Sequence, residues 1–134
     1  MNRTLTAVLA DDHAAILDNV SRCLSPVCEI VAAVSDGTAA VEAIIRLHPD
    51  IAVLDIAMPQ LSGIEVAREV RLLGSDTKVV FLTVQEDEDY ISAALETGAL
   101  GYVLKGRMRS DLPQAIEHAI AGDIFISSRQ LRAY

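Results

Sequence analysis

Tryptophan is absent from the 134 residues, and two Phe and three Tyr are the whole aromatic inventory. Aromatics amount to 4% against 51% hydrophobic residues in all, so a core here has to be aliphatic: Val, Ile, Leu and Ala. Basic residues are also scarce, 11 against 19 acidic, for a net charge of −8. Such a surface repels phosphate backbones, which excludes nucleic-acid binding by this segment on its own. No apolar run approaches the length that crosses a bilayer. The opening MNRTLTAVLADD reaches two acids too early for a signal peptide, so the expectation is a soluble, cytoplasmic domain. Cys23 and Cys28 are the only cysteines. Without accompanying Cys or His partners their spacing is a poor zinc signature, and they read as reduced packing residues. The length suits one domain with a real core.

What the chain does have is a regular alternation of two kinds of segment. Short, β-branched-rich apolar runs occur at 5–10 (LTAVLA), 28–34 (CEIVAAV), 51–54 (IAVL), 78–83 (KVVFLT) and 101–105 (GYVLK). They lack the polar alternation of strands with one wet face and read as buried strands. Between them lie amphipathic segments at 13–24, 38–48, 62–73, 87–97 and 111–121, with stripes such as Ile16, Val20 and Leu24, or Leu112, Ala115, Ile116 and Ala119. Pro49 and Asp50, Gly74, Gly98 and Gly122 punctuate the helix ends. Five strands and five helices in strict alternation predict an α/β fold, a doubly wound five-stranded parallel sheet with helices on both faces. The domain spans 1–121, and residues 122–134 (GDIFISSRQLRAY) leave the pattern as a tail or the start of a linker.

Chemistry in an open parallel sheet collects outside the carboxyl ends of its strands. Strand one ends in Asp11 and Asp12, strand three in Asp55, strand four in Thr83 and strand five in Lys105. Taken singly, each has a plain structural reading: a helix cap, a strand-end polar residue, a solvated lysine. Together they do not, because three carboxylates crowded in one crevice would not all stay ionised without a cation. A hard divalent ion such as Mg²⁺ suits carboxylate and carbonyl oxygens with waters completing the shell, and Lys105 adds a second positive charge. That set is equipment for receiving a phosphoryl group, with Asp55 as the attacking carboxylate.

The pair DD at 11–12, LDIAMP at 54–59, LT at 82–83 and GYVLK at 101–105 resemble the receiver domain of two-component response regulators, over about residues 5 to 121. The resemblance implies a flavodoxin/CheY-like sheet with strand order 2-1-3-4-5. It implies transfer of phosphate from a sensor histidine kinase to Asp55, and a signalling module, not an enzyme. Asp12, Asp55 and the Ala57 carbonyl would coordinate Mg²⁺, with Asp11 acting through water; Lys105 would pair with the phosphoryl oxygens. Thr83 would move to the phosphate and Tyr102 would swing inward behind it, changing the surface of helices four and five and promoting a homodimer. DDH at 11–13 and GYVLKG are similar to the branch carrying a LuxR-type helix-turn-helix effector (NarL/FixJ-like). DNA would then be met only through an effector domain outside this chain, as part of transcription regulation; the alternative is a stand-alone receiver acting as a phosphorylation-dependent interaction module. Two residues depart from the common pattern: Gly106 replaces a frequent proline, and Val84 stands where a smaller residue is common. A Mg²⁺-dependent phosphohydrolase with a strand-end Asp nucleophile is the competing enzyme class, but it needs a second acid two residues on, where this chain has Ala57.

Overall fold

The computed structural model describes residues 4–127. In chain order the elements are β1 (Leu5–Ala10), α1 (Ala14–Leu24), β2 (Cys28–Val34), α2 (Gly37–Leu47), β3 (Ile51–Leu54), α3 (Gly63–Leu72), β4 (Lys78–Thr83), α4 (Glu88–Glu96), β5 (Gly101–Leu104), α5 (Met108–Ala121) and β6 (Phe125–Ile126). A 3-10 turn, Lys105–Arg107, joins β5 to α5. The sheet runs β2-β1-β3-β4-β5-β6 with every pairing parallel.

The sheet therefore has six strands, and the expected five is corrected. Part of the supposed tail adds to the β5 edge: Phe125 N–H donates to the Leu100 carbonyl (2.9 Å) and Ser127 N–H to that of Tyr102 (2.8 Å). A two-residue strand is too short to leave a periodic signal, so backbone pairing alone defines it. Residues 128–134 of that tail lie outside the described residues. Helix α5 starts at Met108, three residues before the pattern placed it, and takes Pro113 into its second turn. Strand β2 is not buried throughout, although its residues read as a continuous apolar run. It is the sheet edge, Glu29 and Ala33 are exposed, and its register shifts between Ala7 and Val8 of β1.

Period-two alternation explains why the other strands are apolar at nearly every position. Val8, Ala10, Ala52, Leu54, Val79, Phe81, Tyr102 and Leu104 face one side and pack with α2, α3 and α4. Their alternates Ala7, Leu9, Ile51, Val53, Val80, Leu82 and Val103 face the other side and pack with α1 and α5. Each fully buried Val, Leu or Ile contributes about 1.5–3 kcal/mol of transfer free energy. That is what holds a stiff platform under the strand ends. No helix among the described residues is long and apolar enough to cross a membrane.

Candidate functional site at the carboxyl ends of the strands

Parallel register delivers the polar residues to one rim. Ala10 pairs with Leu54, so Asp11 and Asp55 are the next residues of neighbouring strands, and Asp55 N–H donates to the Ala10 carbonyl (2.9 Å). Leu54 pairs with Phe81, and Thr83 pairs with Leu104, which places Thr83 and Lys105 further along the same edge. Only a side chain as long as lysine's can reach back past β4. Lys105 does so: its Nζ lies 3.0 Å from Asp55 Oδ2 and 2.7 Å from Asp11 Oδ2. Asp55 is 4% exposed. Its Oδ1 accepts the N–H of Ile56 at 2.7 Å, which leaves Oδ2 turned toward Lys105.

Burial pushes the Asp55 carboxyl above the usual carboxylate range; its bond to Lys105 pulls the other way without cancelling this, and Asp11 adds to the rise. Burial also works against the Lys105 charge, but hydrogen bonds and Coulomb attraction from Asp11 and Asp55 outweigh it and hold the ammonium above its ordinary value. The lysine is thus firmly cationic, while Asp55 is harder to ionise than a solvated acid. Asp11 Oδ2 is buried and has Lys105, 2.7 Å away, as its partner, so one ammonium serves an oxygen of both Asp11 and Asp55.

Asp11, Asp12, His13 and Asp55 each offer a ligand atom, all within 4.8 Å of one another. Asp12 is exposed, and His13 Nδ1 lies 3.2 Å from an oxygen of both Asp11 and Asp12. His13, which the pattern places at the start of the first helix, is the residue just before α1 and lies beside the acidic group. Thr83 is buried beside the site, and its Oγ1 accepts Gln85 N–H at 3.3 Å. Ala57 is exposed in the loop two residues after Asp55. Val84 is exposed. Tyr102, 1% exposed, holds the interior position in this structure, its hydroxyl donating to the Gln85 carbonyl (2.9 Å) and its ring tilted against Phe81.

Met58 and Pro59 read from the sequence as shaping the loop after Asp55; sequence reasoning missed the glycines that the same loop packs against. A Cβ on Gly63 would overlap the Asp55 carbonyl oxygen, and one on Gly37 would overlap that of Leu61, so the loop packs against two bare backbones. Gly63 N–H donates to Ile56 (2.8 Å) and Gly37 N–H to Pro59 (3.0 Å), while Gln60 takes a positive φ of 73° between them. Ser62 and Glu65 then form a reciprocal capping box at the start of α3. The S-x-x-E spacing was there to be read; the close approaches of the glycines have no local signature.

A model of the response regulator receiver domain matches residues 7–117. The chain is 36% identical over 121 residues to the transcriptional regulatory protein DegU of Brevibacillus brevis, covering 89% of this chain and 51% of that protein. It is 32% identical over 125 residues to the oxygen regulatory protein NreC of Staphylococcus epidermidis, covering 91% of this chain and 57% of the other. The chain thus spans about half the length of these relatives. Among solved structures, a two-component response regulator of the LuxR family from Aurantimonas sp. superposes with a TM-score of 0.88 at 31% identity, covering 93% of this chain and 91% of that one. The signal receiver domain of the response regulator NarL from Mycobacterium tuberculosis gives 0.86 at 32% identity, covering 90% and 99%. With the acidic rim and its lysine at the strand ends, this chain belongs to the receiver domains of two-component response regulators, in the CheY-like branch of the LuxR-family regulators.

Proposed function

We propose that the chain accepts a phosphoryl group on Asp55 from a phosphohistidine of a sensor histidine kinase. The observation that carries this reading is the buried Asp55 carboxylate with a fixed ammonium 3.0 Å away. Oδ2 attacks phosphorus, an O–P bond forms, the P–N bond to the histidine breaks, and the imidazole leaves with the electron pair and takes a proton from solvent. Lys105 turns from the carboxylates to the phosphoryl oxygens, and the Thr83 hydroxyl donates to another of them.

Asp11, Asp12, Asp55 and the carbonyl of Ala57 would hold Mg²⁺. The fit rests on the donor set: the carboxylates of Asp11, Asp12 and Asp55 lie within reach of one ion and share a single lysine, an oxygen-rich and anionic cluster of the kind a hard divalent cation takes. When bound, the ion supplies charge neutralisation for the phosphoryl oxygens. Each chain takes up one phosphoryl group as a signal and does not turn substrate over. Movement of Thr83 and the position of Tyr102 link that event to the surface of α4, β5 and α5, with helix α5 at or beside a homodimer contact. The domain works in the cytoplasm, and the output is transcription through a DNA-binding domain beyond these residues, as its similarity to transcriptional regulators suggests. The test is intact mass after incubation with Mg²⁺ and acetyl phosphate. The parent should gain one phosphoryl group and lose the capacity in EDTA; phosphate uptake by Asp55→Asn at the parent's level would exclude Asp55 as the acceptor.

A further inference from the structure

A second buried acid lies behind the site. Asp111, in the first turn of α5, accepts from the Ser127 hydroxyl (2.7 Å) and from Arg107 Nε (2.9 Å) on one oxygen, and from the Ser110 hydroxyl (2.9 Å) on the other. Ser127 follows β6 and is itself buried. Its hydroxyl oxygen also accepts the Leu104 N–H at 3.0 Å, and its own N–H donates to the Tyr102 carbonyl. The residue before Lys105 and the residue two after it are therefore both tied, directly or through one hydroxyl, to a single carboxylate oxygen. Among the described residues none of these groups forms a hydrogen bond or ion pair with Asp11, Asp12 or Asp55.

We propose that Ser127 and Asp111 are positioning residues for Lys105, holding the backbone N–H of Leu104 just before it and the side chain of Arg107 just after it, so that the long lysine side chain is aimed across Thr83 at Asp55. A lysine stem has several rotatable bonds, and its tip is placed reproducibly only if its root is fixed. The clamp also joins Ser127, just after β6, to the end of β5 that leads into the lysine, so the sixth strand and the phosphoryl site share one anchor. The functional weight of this clamp rests on the reading of Lys105 as the phosphoryl-binding cation.

The chain has only two lysines, Lys78 and Lys105, so ¹³C-lysine labelling gives two Cε signals that can be told apart. In metal-free buffer, Ser127→Ala should move the Lys105 signal toward that of a solvated lysine and leave Lys78 in place. Ser127→Thr, which keeps the hydroxyl, should restore it. Arg107→Gln changes a half-exposed side chain on the other arm and should move the same signal. Ile44→Val, in the opposite core, controls for lost stability alone and should not. Phosphate uptake from acetyl phosphate with Mg²⁺ should slow about fivefold in Ser127→Ala, the factor expected for one lost hydrogen bond. An unmoved Lys105 signal in both Ser127→Ala and Arg107→Gln would overturn the clamp, as would an equal shift in Ile44→Val. A parent chain that takes up no phosphate would instead refute the phosphoryl-acceptor reading, while the lysine signals still decide the clamp.

Discussion

Asp55 and Asp111 are buried to nearly the same degree, 4% and 3% exposed, yet their surroundings drive them in opposite directions. Burial penalises both charges. At Asp111, hydrogen bonds from Ser127, Arg107 and Ser110 overcome that penalty and hold the carboxyl below its usual range. At Asp55 the single lysine and one backbone N–H do not, and a second acid stands nearby, so its carboxyl stays above that range. Donor count decides the sign. A carboxylate saturated with protein donors is a structural anion, whereas one left short of them has capacity for a ligand. The two ends of the Lys105 segment thus meet one acid that is complete and one that is waiting.

The largest effect should come from breaking the complete one. Asp111→Ala strands the Ser127 and Ser110 hydroxyls and the Arg107 guanidinium, and should cost about 3 kcal/mol in urea unfolding. A loss under about 1 kcal/mol would mean that solvent already satisfies these donors. Next comes the response to metal. Mg²⁺ at about 100 times its dissociation constant should stabilise the parent by about 2.7 kcal/mol through mass action. Asp111→Asn should keep that gain and Asp55→Asn should lose most of it, as read by thermal unfolding with and without EDTA. Equal gains in both variants would detach the metal from the crevice.

The asymmetry between these two acids was only half legible in the sequence. Asp11, Asp12, Asp55, Thr83 and Lys105 could be placed because each ends a recognisable apolar run, and parallel sheets put such ends on one edge. Asp111 could not, since an acid opening a helix is ordinary and nothing local announces that Ser127, sixteen residues on, will donate to it. The sixth strand was hidden for the same reason: two residues hold no period, and only long-range pairing with Leu100 and Tyr102 creates it. The loop after Asp55 depends on glycines approached by distant backbone, which a linear reading cannot see. Periodicity revealed the platform, and what remained hidden was contact between segments far apart in sequence.

The smallest effect sharpens the comparison most, because it turns on sign. With no metal present, a carboxyl whose folded-state pKa is raised binds its proton more tightly in the native state, so its contribution to stability is greatest at acid pH and is lost as pH rises past the ordinary carboxylate value toward the raised one. A carboxyl whose pKa is lowered behaves the other way: its contribution is present above the ordinary value and lost as pH falls through the folded one. Asp55 is the first case and Asp111 the second. At neutral pH in EDTA, Asp55→Asn should therefore be more stable than the parent, by about 1 kcal/mol, the size of a typical single substitution. That advantage should shrink on acidification as the parent's Asp55 becomes protonated. The deficit of Asp111→Asn should also shrink on acidification, once the parent's Asp111 has lost its charge. Denaturant titrations of the three chains from about pH 3 to 7 span the ordinary carboxylate range and test both trends. A neutral-pH loss of stability in Asp55→Asn would show that Lys105 and Ile56 satisfy Asp55 as fully as their counterparts satisfy Asp111, and the distinction between the waiting and the completed acid would fall.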